Sequence, residues 1–313
     1  MNRIPPAVDR AIASGSGETR DGQPISYNRP PPADLAPWVA RFYVTKVEAP
    51  SDYLIDCGLF IDTSSVRLQL SGEWHSETQR GPMRFGRDAV FCGPHSRRMP
   101  LKVRGGFVSA GFSFRPGACH ALRGAKLTEL LDCVVPLEAI GESGDAMFAL
   151  LRPGGSRESW VGAMENWVRE LVERRGKREP DPVTVRFEAA AYSDPGRTVS
   201  AIAQEFGVEQ RRLERIVKRD FGMSPKQVLR RARALDMASH LRGVADHDEA
   251  EELALRYYDQ SHLIREFIAL FGMSPSQFVN TPQPLMTTVL ENRQARRLEM
   301  MERIAPGGIR PWE

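Results

Sequence analysis

FGMSPKQV, residues 221–228, returns fifty residues later as FGMSPSQF, residues 271–278. The match extends upstream at the same offset, where Leu213 corresponds to Leu263. An internal repeat marks a supersecondary unit that the chain uses twice. Both copies therefore predict the same local structure, and the fold of this half of the chain depends on what that structure is.

The residues before the first copy predict two short helices with a glycine between them. VSAIAQEF, residues 199–206, has helical periodicity, Gly207 follows, and EQRRLERIVKRDF, residues 209–221, is helical again. Helix, short turn and helix is the pattern of a helix-turn-helix motif. Ala203 is small enough for the helices to cross closely, and Gly207 can adopt the left-handed conformation that the turn needs.

The second of these helices has one apolar and one basic face. Leu213, Ile216 and Val217 recur at i, i+3 and i+4, which predicts a buried side. The basic residues on the other side are Arg211, Arg212, Arg215 and Lys218. A helix fits the major groove of DNA, where arginine can pair with guanine and other basic residues meet phosphate. The alternative is a solvated charged surface without a partner.

Charge is distributed unequally between the two copies. The whole chain carries a net charge of +3, which by itself indicates no partner. Residues 211–233 contain nine basic and two acidic residues, a balance of +7, whereas residues 246–266 contain two basic and seven acidic residues, a balance of −5. Acidic residues repel phosphate, so we expect the first copy to dominate binding to DNA.

The rest of the chain predicts a β region followed by helices. Short apolar runs between residues 38 and 115 are separated by Gly, Pro, Ser and Asp, which suits an antiparallel sandwich or barrel. Within it VRLQL, residues 66–70, alternates and predicts one buried and one wet face. Residues 159–175 predict a helix with an apolar stripe, which either packs on the sandwich or forms a subunit interface. Another helix is predicted from Leu285 to Ile304.

The repeated region resembles the AraC/XylS family of transcriptional regulators, which carry two helix-turn-helix motifs joined by a long helix. The resemblance covers residues 184–280. GMSPKQVLRRARALDMASHLR, residues 222–242, is similar to the family's linking helix, and YYDQSHLIREFIALFGMSPSQF, residues 257–278, to its second signature. FGMSP then ends each recognition helix and starts the next one. Ser224 and Ser274 are the expected N-caps, each followed by proline.

The resemblance implies which side chains contact DNA. Base-facing positions are expected at Arg211, Glu214 and Arg215, while Arg212 and Lys218 are better placed for phosphate. The full set of predicted DNA-contacting residues is Gln210, Arg211, Arg212, Glu214, Arg215, Lys218, Gln260, Ser261, His262, Ile264 and Arg265. For His262, a structural hydrogen bond is the alternative to a DNA contact.

The second motif departs from the family pattern at its turn. ELALRYYDQ, residues 252–260, contains no glycine, and Ala254 lies five residues before Asp259 where the family has seven. Either the first helix of this motif is shifted, with Glu252 in the usual alanine position, or the motif is distorted.

The N-terminal half more weakly resembles cupin-like sensing domains, on GFSFRPGACHALRG at residues 111–124. Trp74 and His75 are candidates to line an effector pocket, although tryptophan in a sandwich is more often core. Cys92 and His95 have the spacing of a ligand pair but no second pair, so we predict no metal and no cofactor. Cys119 beside His120 is the only enzymatic hint, and adjacent residues rarely form a nucleophile–base pair, so we predict no enzyme.

We therefore predict an α+β multidomain protein. An N-terminal antiparallel β sandwich or cupin-like barrel with helices precedes an all-α double helix-turn-helix domain. The predicted boundaries are a mobile arm at 1–33, a cupin-like sensing and dimerisation domain at 34–178, the double helix-turn-helix domain at 179–281 and a helical extension at 282–313.

The leading hypothesis for function is a sequence-specific regulator that binds double-stranded DNA and is controlled at its N-terminal domain. RNA polymerase, another regulator, a small-molecule effector and a second copy of the chain are the further candidate partners. The alternative is a protein-interaction module with weak DNA binding. No apolar run of ~18 residues and no signal-peptide core occur, so a cytoplasmic location with four reduced cysteines is expected.

Overall fold

The computed structural model describes residues 5–246, 260–305 and 308–313. An antiparallel β part comes first and a helical part follows, which confirms the predicted α+β architecture. The strands are β1 Ala13–Ser14, β2 Tyr27–Arg29, β3 Val39–Glu48, β4 Leu54–Leu59, β5 Ser65–Gln69, β6 Glu73–Thr78, β7 Gly81–Phe85, β8 Ala89–Cys92, β9 Met99–Arg104, β10 Phe107–Phe114 and β11 Val134–Pro136.

The described helices lie mostly after the strands. They are α1 Ala118–Ala121, α2 Gly144–Leu150, α3 Arg157–Arg175, α4 Pro182–Ser193, α5 Val199–Phe206, α6 Gln210–Phe221, α7 Pro225–Arg242, α8 Gln260–Phe271, α9 Pro275–Asn280 and α10 Pro284–Met300, with a 3-10 turn at Leu137–Ile140. GKREPDPV, residues 176–183, whose charged residues and prolines predict a linker, follows α3, and α4 already begins within it at Pro182.

The strands form two antiparallel sheets. The larger sheet has the order β1-β3-β10-β5-β8-β11, with β2 also paired to β3, and the smaller has the order β4-β9-β6-β7. Residues of both sheets, among them Tyr43 and Ser109 of the larger and Leu59 and Trp74 of the smaller, line one cavity. The two sheets therefore face each other across a shared interior.

The larger sheet is covered on both of its faces. Phe42, Val66 and Phe112 stand next to one another in register on the apolar face, where they join the core under α3. Most of the alternate residues are polar, and Gln69 on that side is fully buried. The alternation of VRLQL predicted that this face is exposed to solvent. Instead this face is turned inward, toward the smaller sheet and α10.

The apolar stripe of α3 belongs to the β part. Val161, Met164 and Val168 are completely buried in the core that contains Phe112. These side chains are covered within one chain, so the stripe packs on the sandwich and is not free to serve as a subunit interface.

The described part of the predicted mobile arm is packed against the protein. Strands β1 and β2 pair with β3. The Ala7 amide donates a hydrogen bond to the carbonyl of Val279 at 2.8 Å, and the Tyr53 hydroxyl donates to Asp9 at 2.9 Å. The Pro, Gly and Ser content suggested mobility, but backbone hydrogen bonds to the open edge of β3 order the segment.

The C-terminal extension forms the junction between the two halves. Helix α10 packs on β4 and on α7. Leu285, Met286 and Leu290 of α10 share one apolar core with Ile55 of the β part and Leu235 of α7. The helix predicted here is therefore present, and it lies inside the molecule.

Candidate nucleic-acid interface

The first helix-turn-helix motif has the predicted geometry. Helix α5 ends at Gly207, which adopts the left-handed conformation with φ 65°. Ala203 is 3% exposed where α5 meets α6, and Leu213 and Val217 of α6 are completely buried beneath it. The side chain of Thr198 caps α5 by accepting a hydrogen bond from the Ala201 amide. The angle between the two helices is fixed by the small side chain of Ala203, the left-handed Gly207 and the apolar stripe of α6.

The opposite side of α6 is exposed and basic. All six candidate residues of the first motif lie on it: Gln210, Arg211, Arg212, Glu214, Arg215 and Lys218. Gln210 donates a hydrogen bond to Glu214 at 2.8 Å. Within the ranges that the structure describes, none of the four cations forms an ion pair with a carboxylate. Their positive charge is therefore available to a ligand.

Several other basic residues of this region have partners inside the protein. The Arg219 guanidinium donates two hydrogen bonds to Asp220, at 2.6 and 2.7 Å. Arg231 donates to the backbone carbonyls of His95 and Asp62, at 2.9 and 2.8 Å. These arginines hold α6 and α7 in place, so the balance of +7 read from the sequence overstates the positive charge that is available to a ligand.

The FGMSP repeat is a helix-stop and helix-start signal in both copies. Gly222 and Gly272 are left-handed, with φ 76° and 72°. The side chains of Ser224 and Ser274 then cap α7 and α9 as predicted, each in a capping box with the glutamine three residues later. The repeated letters thus encode the same local structure twice.

The second motif is described only from α8 onward. The shortened turn at residues 252–259 and the acidic run 247–252 lie outside the described residues, as do the side chains of Gln260 and Ser261. Leu263 and Phe267 are buried, in the positions that Leu213 and Val217 occupy in α6.

The remaining candidates of α8 are on its surface. His262 and Arg265 are exposed, and Ile264 is 39% exposed. His262 Nδ1 lies 3.9 Å from the Glu266 carboxylate. This position is compatible with both readings of His262 that the sequence left open.

Glu266 is tied to the linking helix. Its carboxylate accepts hydrogen bonds from Arg230 at 3.0 Å and from Arg233 at 3.1 Å. The side chain of Glu266 is 7% exposed. One of the acids counted against the second motif is therefore neutralised by two of the bases counted for the first, and the charge contrast between the motifs is smaller than the sequence indicates.

The N-terminal candidates are mostly core residues. Trp74 is 2% exposed and stacks on Phe85, with ring centroids 6.0 Å apart, and it also borders the cavity between the two sheets. His95 is completely buried, and burial lowers its pKa to about 4. Over the described ranges, no group of three or more His, Cys, Asp or Glu side chains is arranged to hold a metal ion.

The four cysteines are free and buried. Burial raises the pKa of Cys119 to about 11, although a hydrogen bond with Ser64 opposes the shift. Such a thiol stays protonated at neutral pH and is a poor nucleophile. The helices that the structure describes include none that is long and apolar enough to cross a bilayer.

The polar interior of the β part and the position of α10 were not predicted from the sequence. Arg67 and Tyr43 lie inside the β part, on the inward face of the larger sheet. The alternation of VRLQL signalled this face, but a polar face toward solvent and a polar face toward a cavity have the same pattern in sequence.

Comparison with known proteins gives two family matches. Residues 202–281 match a family described as a helix-turn-helix domain (HTH_18), and residues 27–136 match a domain of unknown function (DUF6597). No curated protein matches the chain.

Solved structures with a similar arrangement are more distant. An apo variant of ToxT from Vibrio cholerae is 12% identical over 76% of this chain and 96% of that chain, with a TM-score of 0.44. ToxT with a bound unsaturated fatty acid is 10% identical over 87% of this chain and 96% of that chain, with a TM-score of 0.41. The AraC-like transcriptional activator CuxR is 16% identical over 62% of this chain and 76% of that chain, with a TM-score of 0.31. At this level of similarity nothing about ligands transfers from them.

The first family match spans α6, α8 and both copies of the repeat. The geometry of α5 and α6 and the serine caps agree with it. The helical part of this chain therefore contains a helix-turn-helix domain.

Proposed function

We propose that the protein is a transcriptional regulator that binds double-stranded DNA at specific sequences, with α6 in the major groove. The observation that carries the proposal is the exposed face of α6, where four cations have no ion-pair partner in the described structure. A charged face on a rigid helix-turn-helix scaffold can meet both base edges and phosphates.

The roles of the α6 side chains follow from their positions on the helix. Arg211 and Arg215 are four residues apart, about 6 Å along the axis, so they reach neighbouring base pairs. We assign base contacts to these two residues and to Glu214, and phosphate contacts to Arg212 and Lys218. Gln210 holds Glu214 in position through the hydrogen bond between them.

Helix α8 is assigned to a second segment of major groove. Arg265 and His262 supply polar groups, and Ile264 supplies an apolar surface of the kind that contacts the methyl group of thymine. Gln260 and Ser261 belong to the same predicted face. We place the DNA-binding domain at residues 179–281 and a cytoplasmic sensing domain, without catalytic activity, at 34–178.

Selection of binding sites from a random duplex library tests the proposal. We expect the wild-type protein to enrich one sequence. The Arg215→Ala variant should bind that sequence more weakly, with a loss of about 1–3 kcal/mol of binding free energy. Arg215→Lys keeps the charge but loses the paired geometry of the guanidinium, so it should lose specificity and retain general DNA affinity. Lys102→Ala, on an exposed strand of the β part, is the control for loss of one positive charge.

A protein-interaction module is the second candidate. Ile264 and Ile268 on α8 are 39% and 43% exposed and adjacent, which is unusual for a purely polar interface. If no sequence is enriched and Arg215→Ala binds random duplex as the wild type does, DNA recognition by α6 is excluded and this second reading takes its place.

A further inference from the structure

The polar face of the larger sheet borders a cavity. Its volume is about 70 Å³, and it lies between the two sheets and α10. Its polar lining includes Arg41, Tyr43, Ser65, Arg67, Ser109 and Arg296. Among the described residues, Asp62 is the one carboxylate of the lining, and it is ion-paired with Arg296 and Arg293. A water molecule needs roughly 10–15 Å³ on this measure, so the space suits about five waters or one compact polar molecule.

One arginine of this cavity differs from the other three. The paired ones are Arg41 with Glu299 at 2.6 Å, Arg293 with Asp236 at 2.6 Å and Arg296 with Asp62 at 2.9 Å. Arg67 has no ion-pair partner among the residues that the structure describes. Its side chain is enclosed by protein, and the surface that it exposes borders the cavity.

The groups next to Arg67 do not balance its charge. Its guanidinium carbon lies 6.0 Å from the centre of the Tyr43 ring. Burial raises the pKa of both Tyr43 and Cys92, so these neighbours are neutral at pH 7. A guanidinium inside a protein without an anion carries a large desolvation cost. The site as it stands therefore lacks one negative charge.

Hydrogen-bond donors around the same space are also unused. The hydroxyl groups of Tyr43, Ser65 and Ser109 are buried and have no partner at normal hydrogen-bond geometry in the described structure. Buried polar groups in proteins nearly always have partners, in the protein or in a bound molecule. Gly111 leaves the room for this arrangement, because a side chain there would meet the Tyr43 hydroxyl at 2.7 Å.

We propose that this cavity binds a compact oxyanion, a small carboxylate or a phosphate-sized ion, with Arg67 as its counter-charge and the hydroxyl groups as further donors. Charge-assisted hydrogen bonds of this kind are the strong ones. The proposal names the class of effector for the regulator and rests on the proposed function for that regulatory role alone.

The position of the cavity connects it with the DNA-binding part. Arg296 of α10 borders the cavity, and Arg293, one turn away, is ion-paired with Asp236 of α7. Helix α7 directly follows α6. A bound anion would thus contact both the larger sheet and a helix that is held to the DNA-binding domain.

Thermal unfolding of the full chain tests the site. Inorganic phosphate, sulfate, malonate and succinate are added at millimolar concentration, with chloride at equal ionic strength as reference. We expect at least one oxyanion to raise Tm by about 2–4 °C or more beyond chloride. Comparison of phosphate with the dicarboxylates shows which source of oxyanion the cavity accepts.

Matched variants identify the residues. Arg67→Met should abolish the oxyanion shift and leave the Tm without anion unchanged or higher, because an unpaired buried charge is removed. Arg84→Met, at an exposed arginine of β7, should keep the shift. Ser109→Ala, a change small enough for the chain to fold, should weaken anion affinity by roughly fivefold, the effect of one hydrogen bond.

The proposal is overturned if no oxyanion raises Tm more than chloride does. It is also overturned if the oxyanion raises the Tm of Arg67→Met as much as that of the wild type. Should Arg67→Met not fold, an unchanged affinity in Ser109→Ala overturns it as well. DNA binding is measured on the same preparations without anion. If DNA binding is intact and no oxyanion changes Tm, this inference is refuted and the proposed function is unaffected.

Discussion

Arg215 and Arg219 lie one turn apart on α6 and differ in exposure and in ion pairing. Arg215 is exposed and unpaired in the described structure, whereas Arg219 binds Asp220, whose side chain is completely buried. The sequence alone does not distinguish them, because they are the same residue type, four positions apart on one helix. The tertiary partner, and not the residue type, therefore decides which arginine of α6 is available to a ligand and which one stabilises the fold.

This contrast predicts opposite phenotypes. Arg215→Ala should weaken specific DNA binding by about 1–3 kcal/mol and leave the free energy of unfolding within about 0.5 kcal/mol of the wild type. Arg219→Ala should lower the free energy of unfolding by about 1–3 kcal/mol, because Asp220 loses its charged donor. Urea denaturation and footprinting separate the two. Equal losses of stability in both variants would contradict the assignment.

His95 predicts a pH dependence of stability. Burial lowers its pKa from 6.5 to about 4. The unfolded chain then binds a proton more readily than the folded one. The contribution of the neutral His95 to the free energy of unfolding is therefore complete above about pH 6.5 and is lost as the pH falls toward 4. Its size is about 3 kcal/mol.

Urea denaturation between pH 7 and pH 4 measures this effect. His95→Gln should lose less stability over that interval than the wild type, while His75→Gln, on the smaller sheet, should follow the wild type. Parallel curves for His95→Gln and wild type would show that other groups cause the acid sensitivity.

At the scale of elements, α6 and α8 are two copies of one helix with different surroundings. Their buried positions and the glycines at which they end correspond. In α8, however, Glu266 forms ion pairs with α7, and Ile264 and Ile268 are exposed. We expect α6 to carry most of the phosphate contacts, since its four cations are unpaired in the described ranges and α8 offers chiefly Arg265.

The salt dependence of DNA binding tests this difference. Lys218→Ala should lower the slope of log affinity against log salt by about 0.9, the value for one phosphate contact. Arg265→Ala should change the slope less. A slope change as large for Arg265 as for Lys218 would mean that both helices meet phosphate equally.

At the scale of the whole molecule, the C-terminal helix joins the β part and the helical part into one cooperative unit. Asp236 of α7 is 1% exposed, and its carboxylate lies 2.6 Å from Arg293 and 3.2 Å from Arg297 of α10. The apolar core also continues from β4 through α7 to α10.

We therefore expect a single unfolding transition. Tryptophan fluorescence reports mainly on the β part, because four of the five tryptophans, Trp38, Trp74, Trp160 and Trp167, pack there. Fluorescence and far-ultraviolet circular dichroism should give the same urea midpoint. Asp236→Asn should lower the free energy of unfolding by about 3 kcal/mol, because buried arginines lose their anion. Asp56→Asn, at an exposed ion pair with Lys102, is the control and should change it by less than about 0.5 kcal/mol. Two separate transitions would show that the halves fold independently.

The sequence by itself determined the local structure of the repeat. Gly207, Ser224 and Ser274 have the predicted roles because turns and caps depend on neighbouring residues only, and the buried stripe of α6 follows from its period. The strand region, the helix at 159–175 and the C-terminal helix were predictable for the same reason.

Only the tertiary structure decided which charges are free and which face is inside. Whether Arg67 looks toward solvent or a cavity depends on a helix more than two hundred residues later in the chain. Whether Arg230 and Arg233 are available to DNA depends on Glu266, because ion pairs form through space. Alternation and charge counts carry no information about such distant partners, so the interior of the β part and the true basic surface could not be read from the sequence.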